Sequence, residues 1–110
     1  MLFRSLLLIL ALVAGLLSGC SNRGVKVIAA VYGSGNSYAD VSQRVADLMA
    51  HTSGFEAAPR WLGADPTPGW NKTLVIVYEA RGKRHVFATG EGGRVNAAVL
   101  LEAARQEILN

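Results

Sequence analysis

The sequence predicts a small α+β domain: a mainly antiparallel sheet of about four strands, a short helix after the first strand and a C-terminal helix. Three observations carry this. Lys72 to Ala80 (KTLVIVYEA) is an alternating, β-branched run, and Arg81-Gly82 turns it back into Lys83 to Thr89 (KRHVFAT) as a hairpin. Val25 to Tyr32 (VKVIAAVY) is a second apolar run of strand length. Val41, Val45, Leu48 and Met49, and later Ala97, Leu101, Ala104 and Ile108, recur instead at helical spacing.

In chain order, Val25, Val27, Ala29 and Val31 alternate onto one side of the first strand. After Lys26 both faces are apolar, as in a central strand. Gly33-Ser34-Gly35-Asn36-Ser37 breaks it. Asp40 with Gln43 three residues on reads as a capping box for the first helix, with Arg44 and Asp47 outside and Thr52-Ser53-Gly54 closing it. Phe55 to Leu62 reads as an edge strand because Pro59 interrupts it. Gly63-Ala64-Asp65-Pro66-Thr67-Pro68-Gly69 is a stiff loop: prolines fix φ, glycines permit unusual angles, and Trp61 and Trp70 are expected to pack beneath it. In the main hairpin, Leu74, Ile76 and Tyr78 share one face, Val75 and Val77 the other. Gly90-Glu91-Gly92-Gly93 ends it. Asn96 caps a last helix to Leu109, Val95 and Leu100 form its hydrophobic staple, and Leu100, Ala103 and Leu109 widen its apolar stripe. Glu102 and Arg105 fall on its wet side.

The N-terminal segment differs in kind. Met1-Leu2-Phe3-Arg4 is a short basic start, and Ser5 to Leu17 is an apolar stretch of about thirteen residues, shorter than the roughly twenty a spanning helix needs. Leu17-Ser18-Gly19-Cys20 follows and contains the only cysteine, which has no internal disulfide partner. This order resembles the lipobox of bacterial lipoproteins. The resemblance implies a signal peptide over 1–19, removed before Cys20, with acyl chains on the Cys20 sulfur and its new amine. Residues 20–24 would be the lipidated cysteine and its tether, and 25–110 a single domain. Ser21 after the cysteine resembles a signal for release to the outer membrane where two membranes exist. The chain would then lie in the bacterial cell envelope, facing the periplasm. Its first partner is membrane lipid, through acylated Cys20.

The 51% hydrophobic content is inflated by that segment. With Arg4 removed, ten Lys/Arg remain against eight Asp/Glu, near neutrality and unlike a nucleic-acid-binding surface. The glycine-rich turn at Gly33 has Tyr38 where a dinucleotide fingerprint wants its third glycine, and no Lys-Ser/Thr for a P-loop. Ser34 lacks the Gly-x-Ser-x-Gly elbow. Neither His51 nor His85 has a second ligand at metal spacing. No catalytic set, metal site or cofactor is therefore expected. Arg81-Gly82-Lys83-Arg84 reads as a solvated hairpin tip, with contact to anionic lipid or polymer as its functional alternative.

Ala30-Val31-Tyr32-Gly33-Ser34-Gly35-Asn36, Asp40-Val41, Leu62 to Gly69 and Lys72 to Tyr78 occur in an order with a known counterpart. The chain resembles the uncharacterised C-terminal domain of a mitochondrial-membrane DnaJ-like co-chaperone (subfamily C, member eleven type), found also in scattered bacterial proteins. That family shows a Tyr-Gly-x-Gly turn, an Asp-Val step, a Gly-Asp-Pro-x-Pro-Gly loop, a Lys-x-Leu strand and a later glutamate matched by Glu91. The resemblance spans about two-thirds of the mature chain and implies a non-catalytic accessory module. Trp70 departs from it, standing where the family has a small aliphatic residue, as does the helix after Val95. The family pattern alone suits the alternative fold, a small β-sandwich with an added terminal helix.

The leading expectation is a lipid-anchored, non-enzymatic binding or scaffolding module with another envelope protein as partner. Its contact surface would combine the loop Asp65, Pro66, Thr67, Pro68, Gly69 and Trp70 with the turn Gly33, Ser34, Gly35 and Asn36, displaying Trp70 and Tyr38. A structural lipoprotein assembling through its C-terminal helix is the alternative, and a small hydrolase the remote one. Oligomeric state is not legible in the sequence.

Overall fold

The computed structural model describes residues 24–109. The cleavage motif Leu17-Ser18-Gly19-Cys20 and the lipidation site Cys20 lie outside the described residues, as do Asn110 and the side chains of Ile108 and Leu109. The chain forms β1 (Val25–Ser34), β2 (Ser37–Asp40), α1 (Ser42–His51), β3 (Phe55–Glu56), α2 (Pro59–Leu62), β4 (Thr73–Ala80), β5 (Lys83–Gly90), β6 (Arg94–Val95) and α3 (Ala97–Leu109). β2, β1, β4 and β5 lie in that order in one antiparallel sheet, and β3 and β6 form a two-stranded ribbon. This is the α+β architecture expected, with helices packed against the four-stranded sheet and not a β-sandwich.

The β4–β5 hairpin follows its sequence pattern. Ala80 pairs with Lys83, and Arg81 and Gly82 take φ values of +54 and +78, the left-handed pair of a type I′ turn. Leu74, Ile76 and Tyr78 point into the core, while Val75 and Val77 lie on the opposite, half-exposed face. In β1 the simple alternation does not hold. A bulge at Ile28 shifts the register between Val27 and Ala29, so Val25, Ala30 and Tyr32 are buried and Val31 faces out. One extra residue moves every later side chain to the other face.

The sequence also hides β2. After Ser34 the chain turns through Gly35-Asn36 and pairs Ser37–Asp40 back onto Val31–Ser34. Gly33 tolerates that return because a Cβ there would stand 2.0 Å from the Ser37 carbonyl oxygen. Asp40 is therefore a strand residue and not a helix cap. Its carboxylate accepts from the Ser42 amide at 2.9 Å and the Ser42 hydroxyl at 2.5 Å, while Gln43 turns to Asp47 at 3.0 Å, so no capping box forms. The Asp40 carboxyl is held below its ordinary range by these Ser42 bonds.

Phe55 to Leu62 is likewise not one edge strand. Two residues pair with β6, and Pro59 then opens α2 at its first position, where a missing N–H has no consequence. Asn96 caps α3 as expected, its Oδ1 accepting from the Val99 amide at 2.8 Å. Val45, Leu48 and Met49 of α1 and Leu100 and Ala104 of α3 close the core over Tyr32, Ile76 and Tyr78. The Tyr78 hydroxyl donates to the Leu100 carbonyl at 2.7 Å, and His85, 5% exposed, contacts Glu107. Both contacts bind α3 to the sheet. No helix among the described residues is long and apolar enough to cross a membrane.

Candidate functional site

The site grows from a turn. Thr67-Pro68-Gly69-Trp70 closes with the Trp70 amide donating to the Thr67 carbonyl at 3.1 Å. Pro68 supplies a fixed φ and Gly69, at φ +82, the left-handed position, as a type II turn requires. Trp70 emerges from it with 71% of its surface exposed, contrary to the expectation that it packs beneath the loop. Trp61 does pack partly against the core, and Arg44 donates to its carbonyl at 2.7 Å. With its amide and carbonyl engaged by the turn and by Lys72, Trp70 has its backbone directed inward and its ring outward.

Lys72 fixes the loop from below. Its side chain is 3% exposed, and the ammonium faces the Trp70 carbonyl at 2.8 Å, Asp65 Oδ1 at 2.9 Å, Glu91 Oε1 at 3.2 Å and the Thr67 carbonyl at 3.3 Å. Glu91 also accepts from the Tyr32 hydroxyl at 2.8 Å, and the Tyr32 ring centre is 5.9 Å from the ammonium. A buried ammonium is tolerated only when so paired. The Lys72 pKa is raised, chiefly by its bond to Asp65. That of Glu91 is lowered, first by Tyr32 and then by Lys72. Burial, reinforced by the Glu91 carboxylate, pushes the Tyr32 phenol up. Lys72, Glu91 and Tyr32 are thus each shifted toward keeping their present charge state, and the loop is set on a charged pin.

The β1–β2 turn meets this loop. Ser34 and Thr67 hydroxyls are 2.8 Å apart, and Ser37 donates to the Pro66 carbonyl at 3.4 Å. Between them opens a groove of about 400 Å³ lined by Ser34, Gly35, Asn36, Ser37, Thr67 and Trp70. The loop and turn expected to act together are therefore adjacent. Gly35 and Trp70 line the groove, and Pro66 supports it through its carbonyl. Asp65 faces Lys72, and Pro68 and Gly69 stand exposed at the rim of the turn. Gly33 is buried in the hairpin, and Tyr38, 47% exposed, lies on β2 without lining the groove.

Ser34, Asn36 and Thr67, members of the turn and loop singled out in the sequence, line the groove, whereas Ser37 as lining and Lys72 as organiser were not singled out there. A lysine opening an otherwise apolar strand was the available signal, but its carboxylate partners stand seven residues before it and nineteen after. Among the described residues no group of three or more His, Cys, Asp or Glu is placed to hold a metal. Comparison with protein-family models finds no match, and no curated protein or solved structure matches the chain.

Proposed function

We propose that this chain is a lipid-anchored, non-catalytic binding module of a bacterial envelope, held by acylated Cys20, that captures another envelope protein in the Trp70 groove. The single observation that supports it best is the pairing of an exposed indole with a buried ionic pin. A solvent-exposed tryptophan gains nothing for the fold, whereas rigid aromatic anchors dominate protein recognition. The Lys72 network fixes the Trp70 backbone in advance, which lowers the ordering entropy lost on binding. The groove offers hydroxyl and amide groups beside the ring, the mixture an interface core and rim require. Assembly through the C-terminal helix is less favoured, because Leu100 and Ala104 are already spent on the core.

The test is site-directed photo-crosslinking in cells from position Asn36, on the groove wall. A discrete adduct is expected, and Trp70→Ala should abolish it while the purified variant melts as the parent does. A removed anchor residue typically weakens binding by about 2 kcal/mol or more, roughly thirtyfold. An undiminished adduct in the Trp70→Ala chain would end the proposal.

A further inference from the structure

A type I′ turn favours Asn, Asp or Gly at its first central position, yet Arg81 occupies it at φ +54. Among the described residues its guanidinium takes part in no ion pair that would offset the strained backbone. Strain kept without compensation inside the fold points to a use outside it. The neighbours are alike in kind. Lys83 and Arg84 are exposed, and Lys26 is exposed on the adjacent strand. Among the described residues only Arg84 of these meets a carboxylate, Glu79 at 3.7 Å. Of the acids on the helices, Glu107 is turned to His85 and Asp47 receives the Gln43 amide.

The sheet register ties this tip to the beginning of β1. Val25 pairs with Ala80 and Lys26 with Glu79. Only Ser21-Asn22-Arg23-Gly24 separates Cys20 from Val25, a reach of roughly 14 Å when extended. An acylated Cys20 therefore keeps the tip within contact distance of headgroups. The ten residues of β1, at about 3.3 Å each, carry the Ser34 end and the Trp70 groove about 30 Å to the opposite pole.

We infer that Arg81, Lys83 and Arg84, with Lys26 beside them, form the domain's contact with anionic phospholipid headgroups of the bilayer that holds the anchor. This rests on the acylation of Cys20 proposed above. The contact stands the sheet upright and turns the Trp70 groove away from the membrane.

The test uses the acylated chain, purified from membranes and reconstituted in nanodiscs of phosphatidylcholine alone or with a quarter phosphatidylglycerol. Modification of the Lys83 amine by a water-soluble acylating reagent is read by mass spectrometry. Each cation near an anionic surface shifts the contact equilibrium about fivefold. Lys83 modification is therefore expected to slow at least about fivefold in the anionic discs. It should recover in about 1 M salt, where the screening length falls to about 3 Å. Arg81→Asn with Arg84→Gln should sharply reduce the lipid dependence, leaving only that of Lys83 and Lys26, while the melting temperature holds or rises, since asparagine suits the turn. Equal Lys83 rates in the two lipids would overturn the inference. The intact mass of the same sample separates the two ideas. A chain without acyl groups defeats the anchor alone, and the tip is then judged by whether that chain sediments with phosphatidylglycerol vesicles but not with phosphatidylcholine; failure to do so overturns it.

Discussion

Replacing Leu100 with alanine measures how far the terminal helix belongs to the core. The Leu100 side chain is fully buried, in a cluster with Tyr78 and Ala104. Truncating such a leucine costs about 2–5 kcal/mol, the transfer contribution plus the cavity left behind. For a domain of this size, about 3 kcal/mol corresponds to a fall of roughly 12–24 °C in melting temperature. A second substitution checks the mechanism. Tyr78→Phe removes the hydroxyl that donates to the Leu100 carbonyl at 2.7 Å, for a loss of about 1–1.5 kcal/mol. The Leu100 carbonyl survives in Leu100→Ala, so if α3 stays docked the two losses should nearly add. Urea melts of the parent, both single variants and the double variant supply the cycle. A Leu100→Ala chain within about 0.5 kcal/mol of the parent would refute the reasoning, because surface positions behave that way. Silence of Tyr78→Phe in the parent would refute the contact between α3 and the sheet.

Gly33→Ala should lose the β1–β2 hairpin, because the new Cβ would meet the Ser37 carbonyl oxygen at 2.0 Å; a cost of about 1–3 kcal/mol is expected by urea melt, with faster amide exchange over Ser37–Asp40. Acid should loosen the site. The folded Glu91 carboxyl lies below its usual 4.5, so its stabilisation is full above that pH and is lost as pH falls through the lower folded value, seen as faster exchange in residues 65–70. Alkali should weaken the whole fold. The Tyr32 and Tyr78 phenols are both raised from 10.0, mainly by burial, so their contribution is full below pH 10 and disappears as pH climbs through the folded values. Melts from neutral pH to beyond 10 should show this decline, and Tyr32→Phe should lessen it. Lys72→Met should release the loop, broadening the Trp70 environment in fluorescence and raising loop exchange more than exchange in β4.

What the sequence made visible was local. The β4–β5 hairpin was legible because a two-residue turn and strict alternation fix register together, down to the pairing of Ala80 with Lys83. The α3 cap at Asn96 was equally legible, since an N-cap needs only the next three residues. β2 was not, because Ser37-Tyr38-Ala39-Asp40 has no strand pattern and is held by pairing with β1. The bulge at Ile28 escaped for a related reason: apolar residues on both sides of β1 carry no register mark. Pro59 misled because proline serves a helix start as well as an edge strand. At the site, the meeting of the 63–69 loop with the Gly35 turn was anticipated. The charged pin was not, because Lys72, Asp65, Glu91 and Tyr32 converge only through the sheet.

The most direct measurement of the central claim is the intact mass of the chain extracted from bacterial membranes. A polypeptide beginning at Cys20 and carrying diacylglycerol with a further acyl group is the result expected. A chain still bearing Met1, or one beginning near Cys20 with a free thiol, would contradict the account.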